Sequence, residues 1–198
     1  MPMKITFELS ESDLDHFRQV MLNAREQSRE LSEDDIIDNA RKLLYQVWNS
    51  DTSDFIRERM HRLETMIGMV VDAGWGLEEA DRARALEALS YFSEPEDLIP
   101  DDIPGLGFLD DAIMIEMVTL ELEHEIHAYR DFCVFRAAEA SRVGNGALDL
   151  ERSDWLEERR RQLHSRMRRR RRRGGGGAGG GGGGGSSPFS LFSREPGH

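Results

Sequence analysis

Two glutamates stand three residues before a histidine, Glu58 before His61 and Glu121 before His124. Such E-x-x-H pairs on facing helices make up half of a di-iron carboxylate centre. "HEIH" at 124–127 sets two histidines three apart, one short of the spacing that brings two zinc-binding imidazoles onto one helix face. The densest group is "PEDLIPDDIPGLGFLDDAIMI" at 95–115, where Asp97, Asp101, Asp102, Asp110 and Asp111 lie among prolines and apolar residues. Clustered carboxylates can do acid/base work or hold a cation. They can also brace a loop by accepting amide hydrogens at helix starts.

Helical periodicity decides how these groups can face. Ser10 with Asp13 and Ser32 with Asp35 are spaced as capping-box variants, opening helices that run to about Arg29 and Trp48. A third pattern opens at Ser53 or Asp54 and carries Ile56, Met60, Leu63, Ile67 and Val70 on one stripe. Steps of about 100° per residue turn Glu58 and His61 away from that stripe toward solvent. Leu77 to Phe92 is expected to be a fourth helix, and Leu109 to Arg142, free of proline and glycine, a long fifth. On the fifth, His124 and His127 fall off the arc of Val118, Leu122 and Tyr129, whereas Asp111 and Glu125 fall on or near it. A carboxylate facing a core must be hydrogen-bonded, ion-paired or protonated. Amides of the "DLIPD" turn are the expected donors for Asp111, and Arg84 or Arg136 for Glu125. The loop aspartates do not match calcium-loop spacing, and Cys133 reads as a core thiol. No catalytic residue, metal ligand set or cofactor is assigned.

Pro95, Pro100 and Pro104 each remove an amide donor and keep the preceding residue extended, which stiffens the loop. Gly105 and Gly107 allow close backbone approach. Asp110 and Asp111 stand where the next helix begins and where carboxylates meet orphan amides and the positive dipole end. The signature positions, structural or functional, are Asp97, Pro100, Asp101, Pro104, Gly107, Asp110 and Asp111.

The stretch "ALSYFSEPEDLIPDDIPGLGFLDDAIMI" closely resembles the signature of YkvA-like proteins, a bacterial family defined by a small domain of unknown function. The matching elements are Tyr91, Pro95, "DLIPD" at 97–101, "IP" at 103–104, "LG" at 106–107 and "LDDA" at 109–112. The resemblance covers roughly a fifth of the chain and implies a helical module in which this loop joins two helices. It brings no established catalytic role. Many members look membrane-associated, and Glu87, Glu116, Glu121, Glu123 and Glu125 on the flanking helices depart from that pattern.

The formal charge of −12 hides an asymmetry. Residues 1–158 hold 37 acids and 15 bases, a net −22, while residues 159–198 hold 1 acid and 11 bases, a net +10. Such a body repels nucleic acid and anionic lipid, so contact with either falls to the tail. "LERSDWLEERRRQLHSRMRRRRRR" reads as a helix with a narrow stripe of Trp155, Leu156, Leu163 and Met167, its arginines suiting the negative dipole end. Arg168, Arg169, Arg170, Arg171, Arg172 and Arg173 are the candidate anion- or partner-binding residues. No aromatics interleave to stack on bases, so any nucleic-acid contact is expected to be backbone-driven and salt-sensitive. From Gly174 the chain becomes a glycine-rich linker ending in "PFSLFSREPGH", a short apolar peptide that can be a tethered recognition motif.

A lone cysteine and an N-terminus without the layout of a secretory signal predict a cytoplasmic protein, with room for peripheral contact at the inner membrane. No stretch approaches the roughly 20 apolar residues of a membrane span. The expected fold class is all-α. A compact helical domain of about five helices fills 1–150, with the Asp/Pro-rich signature loop at about 86–122. An Arg-rich helix at 151–173, a Gly/Ser linker at 174–187 and a terminal peptide at 188–198 follow, the Gly-rich tail being disordered. The expected function is a non-catalytic interaction or adaptor module with a protein partner or a second copy. The alternatives are a carboxylate-based enzyme using the aspartate loop, with or without a metal, and a sequence-independent binder of nucleic acid or another polyanion through the tail.

Overall fold

The computed structural model describes residues 6, 8–93, 99–101, 103, 106–143 and 150–175. Lys4, Ile5, Phe7, Pro95, Asp97, Asp102, Pro104, Gly105 and everything from residue 176 onward lie outside the described residues.

Every element among the described residues is helical. In order they are α1 Glu11–Gln27, a 3-10 turn Ser28–Glu30, α2 Glu33–Trp48, α3 Asp54–Val71, α4 Glu79–Leu89, a 3-10 turn Ser90–Ser93, α5 Leu109–Glu121, α6 Glu123–Val143 and α7 Leu150–Gly175. Both capping boxes form. Asp13 N donates to Ser10 Oγ at 3.3 Å and Ser10 N to Asp13 Oδ2 at 2.8 Å. The reciprocal pair at Ser32 and Asp35 closes at 3.2 Å both ways. These bonds hold both carboxyls below the ordinary range, the serine hydroxyl contributing most. Ser53 caps α3 through the Ile56 amide.

The stripe read on α3 is the centre of the core: Ile56, Met60, Leu63, Ile67 and Val70 are buried, with Met66 and Met69 added. Burying each such side chain contributes about 2 kcal/mol. Helix α5 packs on α3 and is enclosed on most sides through Ala112, Met114, Ile115, Met117 and Val118. Glu58 and His61 are exposed.

The expected single helix from Leu109 to Arg142 is two. At Leu122 the backbone turns to φ −99° and ψ 19°, far from the helical ψ near −42°. The hydrogen bonds Leu122 N to Val118 O and Ile126 N to Leu122 O carry across the break. The break follows from packing rather than from a breaker residue: α5 lies against α3, whereas α6 lies chiefly against α7. A straight helix would have to serve both neighbours with one stripe. No helix among the described residues is long and apolar enough to cross a membrane.

Candidate functional site

The signature loop is built around its own backbone. Ile103 N donates to Pro100 O at 3.1 Å, Gly107 N to Ile103 O at 2.8 Å and Leu109 N to Leu106 O at 3.1 Å. The chain is folded so tightly that a Cβ on Gly107 would lie 2.2 Å from the carbonyl oxygen of Asp101. Phe108 then enters the left-handed region, φ 64° and ψ 14°, with its ring buried, and stands at the start of α5. Asp110 and Asp111 occupy the first turn of α5 and both are buried. The turn amide of Ile99 is taken by Asp110, whose Oδ2 accepts it at 3.1 Å. Asp111, the acceptor expected from its place on the apolar arc, is buried one residue further along. However, a helix with buried residues around most of its circumference lets a neighbouring position reach the loop as well.

A second group of charges lies where α4, α5, α6 and α7 meet. Asp81 on α4 and Glu125 on α6 are only 2% and 1% exposed. Arg171 of α7 joins them, its Nη1 donating to Asp81 Oδ1 at 2.5 Å and to Glu125 Oε1 at 2.7 Å. Arg84, one of the two partners expected for Glu125, donates to it at 3.1 Å and to Glu121 Oε1 at 3.1 Å. Arg168 closes the rim, 2.5 Å from Glu78 Oε1. Burial disfavours the Arg171 charge, but the two carboxylates outweigh it and raise its pKa further. The carboxylates are thereby engaged in holding α7 to the body.

The other expected partner, Arg136, is engaged elsewhere. It bonds Asp72, which ends α3, through Nη1 to Oδ1 at 2.9 Å and Nη2 to Oδ2 at 2.7 Å. Asp72 also accepts the amides of Gly74 and Trp75 and the Tyr129 hydroxyl. Burial pulls the Asp72 carboxyl upward, and the Arg136 guanidinium with these donors brings it below its ordinary value. The turn so fixed, with Gly76 at φ +54°, presents Trp75, 0% exposed, to α7. Leu163 and Met167 pack into the core beside it, and the His164 ring meets Trp75 edge-on at 4.2 Å.

His164 is 5% exposed. Burial lowers its pKa, helped by Arg168 and Arg160 and opposed by Glu78 and Asp81. The unfolded chain therefore takes the proton first, near the ordinary value of about 6.5. The stability held by neutral His164 is complete above that value and lost as pH falls below it toward the folded pKa. The stability advantage of the native chain over His164→Phe is expected to shrink between pH 7.5 and pH 5 in denaturant titrations, and a pH-independent difference would contradict this.

The arginine run is thus divided by helical phase. Arg168 and Arg171 turn toward the body, whereas Arg169, Arg170, Arg172 and Arg173 are exposed and form no ion pair among the described residues. Sequence reasoning missed Asp81, Asp72, Trp75 and His164. For Asp81 a signal existed, since it lies four and eight residues before the buried Ala85 and Leu89 on one face of α4. Cys133 packs at the edge of the core, 3.9 Å from Arg136 Nη2. Among the described residues no three His, Cys, Asp or Glu side chains form a metal-ligand group.

Compared with known proteins, residues 81–117 match the model of a family described as "Protein of unknown function (DUF1232)". The match begins at Asp81 and ends within α5, taking in most of α4, the signature loop and most of the helix that follows. No curated protein and no solved structure matches the chain.

Proposed function

We propose that this chain, a member of the YkvA-like family through its DUF1232 segment at residues 81–117, is a non-catalytic interaction module that offers the outer face of α7 to an anionic partner. The observation that carries this reading is the division of the arginine run. Arg171 anchors the helix to the buried Asp81 and Glu125, Arg168 pairs with the exposed Glu78 at the rim, and four on the outer side, Arg169, Arg170, Arg172 and Arg173, form no ion pair among the described residues. Docking of α7 fixes the backbone that carries these guanidinium groups, so less conformational entropy is lost on binding than from a free tail. The alternative reading, carboxylate chemistry at the aspartate loop, is less favoured because Asp110 accepts a loop amide and Asp81 and Glu125 are bound by arginine. The lone cysteine and the acidic body fit a cytoplasmic setting.

The test uses the full chain and a short DNA duplex as an anionic probe. Replacing Arg169, Arg170, Arg172 and Arg173 with glutamine is expected to weaken binding at least about tenfold at low salt, with Tm unchanged. Binding that survives the four substitutions would overturn the reading.

A further inference from the structure

The exposed arginines have a complementary surface on the same molecule. Consecutive residues of α4, about 100° apart around its axis, reach different neighbours: Asp81 binds Arg171 of α7 at 2.5 Å, and Arg82 binds Glu33 of α2 through Nη2 at 2.6 Å. The C-terminal end of α7 and the N-terminal end of α2 therefore flank the same first turn of α4, at one end of the bundle. The α2 side is an acidic corner. Glu30, Glu33, Asp34, Asp35 and Asp38 are all exposed there. Arg82 engages Glu33, Arg41 engages Asp38 and the capping box uses Asp35. Glu30 and Asp34 form no ion pair among the described residues, and Leu31 beside them is 37% exposed. A basic patch and an acidic patch thus lie on either side of α4.

Resting on the reading above that the outer face of α7 is an interaction surface, we infer that its partner is a second copy of this chain. Two patches of opposite sign, side by side, are self-complementary under a two-fold axis: a half turn lays the arginines of one copy on the acids of the other, twice. Arg172 and Arg173 of each protomer meet Glu30 and Asp34 of its partner, and Leu31 is covered at the edge of the contact. The acidic corner repels an extended polyanion laid across both patches, whereas a second copy places its own arginines there. Each exposed pair is weak and screened, so the dimer forms at high protein concentration and dissolves as the screening length falls from about 10 Å at 0.1 M salt to about 3 Å at 1 M.

Sedimentation velocity on the full chain across a salt series is expected to show a dimer at low salt and a monomer at high salt. Arg172→Glu with Arg173→Glu makes both sets of meeting residues negative, and Glu30→Lys with Asp34→Lys makes both positive. Each double variant is expected to be monomeric alone, and their equimolar mixture to form a heterodimer. The mixture guards against misfolding, since unfolded chains would not restore a defined dimer. A monomer at every salt concentration, or variants that dimerise alone, overturns the inference. If the chain is monomeric while the four glutamine substitutions still abolish binding to the DNA probe, self-pairing fails and the interaction reading stands. If neither association appears, both fail.

Discussion

Replacing Gly107 with alanine is expected to destabilise the fold by about 3 kcal/mol or more. The added Cβ would stand 2.2 Å from the Asp101 carbonyl oxygen and 2.8 Å from its carbon. Both are backbone atoms, held by the Ile103–Pro100 and Gly107–Ile103 hydrogen bonds, so no rotamer change can make room. Gly74→Ala is the matched comparison. There the new methyl would meet Arg136 Nη1 at 3.1 Å and Asp72 Oδ1 at 3.1 Å, side-chain ends that can shift slightly. Urea denaturation should show a large midpoint loss for Gly107→Ala and a much smaller one for Gly74→Ala. A loss below about 1 kcal/mol at Gly107 would mean that the loop has another conformation of similar energy.

Arg171→Met is expected to lower stability by about 2 to 3 kcal/mol. The substitution keeps an apolar stem but strands Asp81 and Glu125, which are almost without solvent contact. Breaking a fully buried pair costs roughly 3 to 5 kcal/mol, and two features reduce that figure here. The Arg171 side chain is 32% exposed, so water can enter in its place, and Arg84 still serves Glu125. Arg172→Met, one residue on and exposed, should change stability by no more than about 0.5 kcal/mol. Equal losses for both variants, measured by chemical denaturation, would mean that helical phase does not divide the run.

The sequence made the helix starts and the α3 stripe legible because both depend on local chemistry. A serine three residues before an aspartate finds the same amide wherever the helix lies in the molecule, as Ser10 and Ser32 do. In the signature loop the need for Gly107 was legible. The break at Leu122 was not, since neither proline nor glycine marks it and the cause is the different neighbours of α5 and α6. The choice between Arg84 and Arg136 for Glu125 could not be made either. It depends on Asp72, 64 residues before Arg136, claiming one of them. Asp81 and Arg171 are 90 residues apart, and no periodicity within one helix reports a pairing between two.

The uniform composition of residues 168–173 has a bearing on how the anchor tolerates changes in length. The stripe that seats α7, Leu163 and Met167, precedes the run, so the register of docking is set before the first of the six arginines is reached. Deleting one or two of them shifts glycine toward the body but leaves an arginine four residues after Met167, where Asp81 and Glu125 wait. Inserting one does the same from the other side. A homopolymeric tract thus supplies the anchor with its own spares, and a change in its length alters the outer patch while the latch keeps its key.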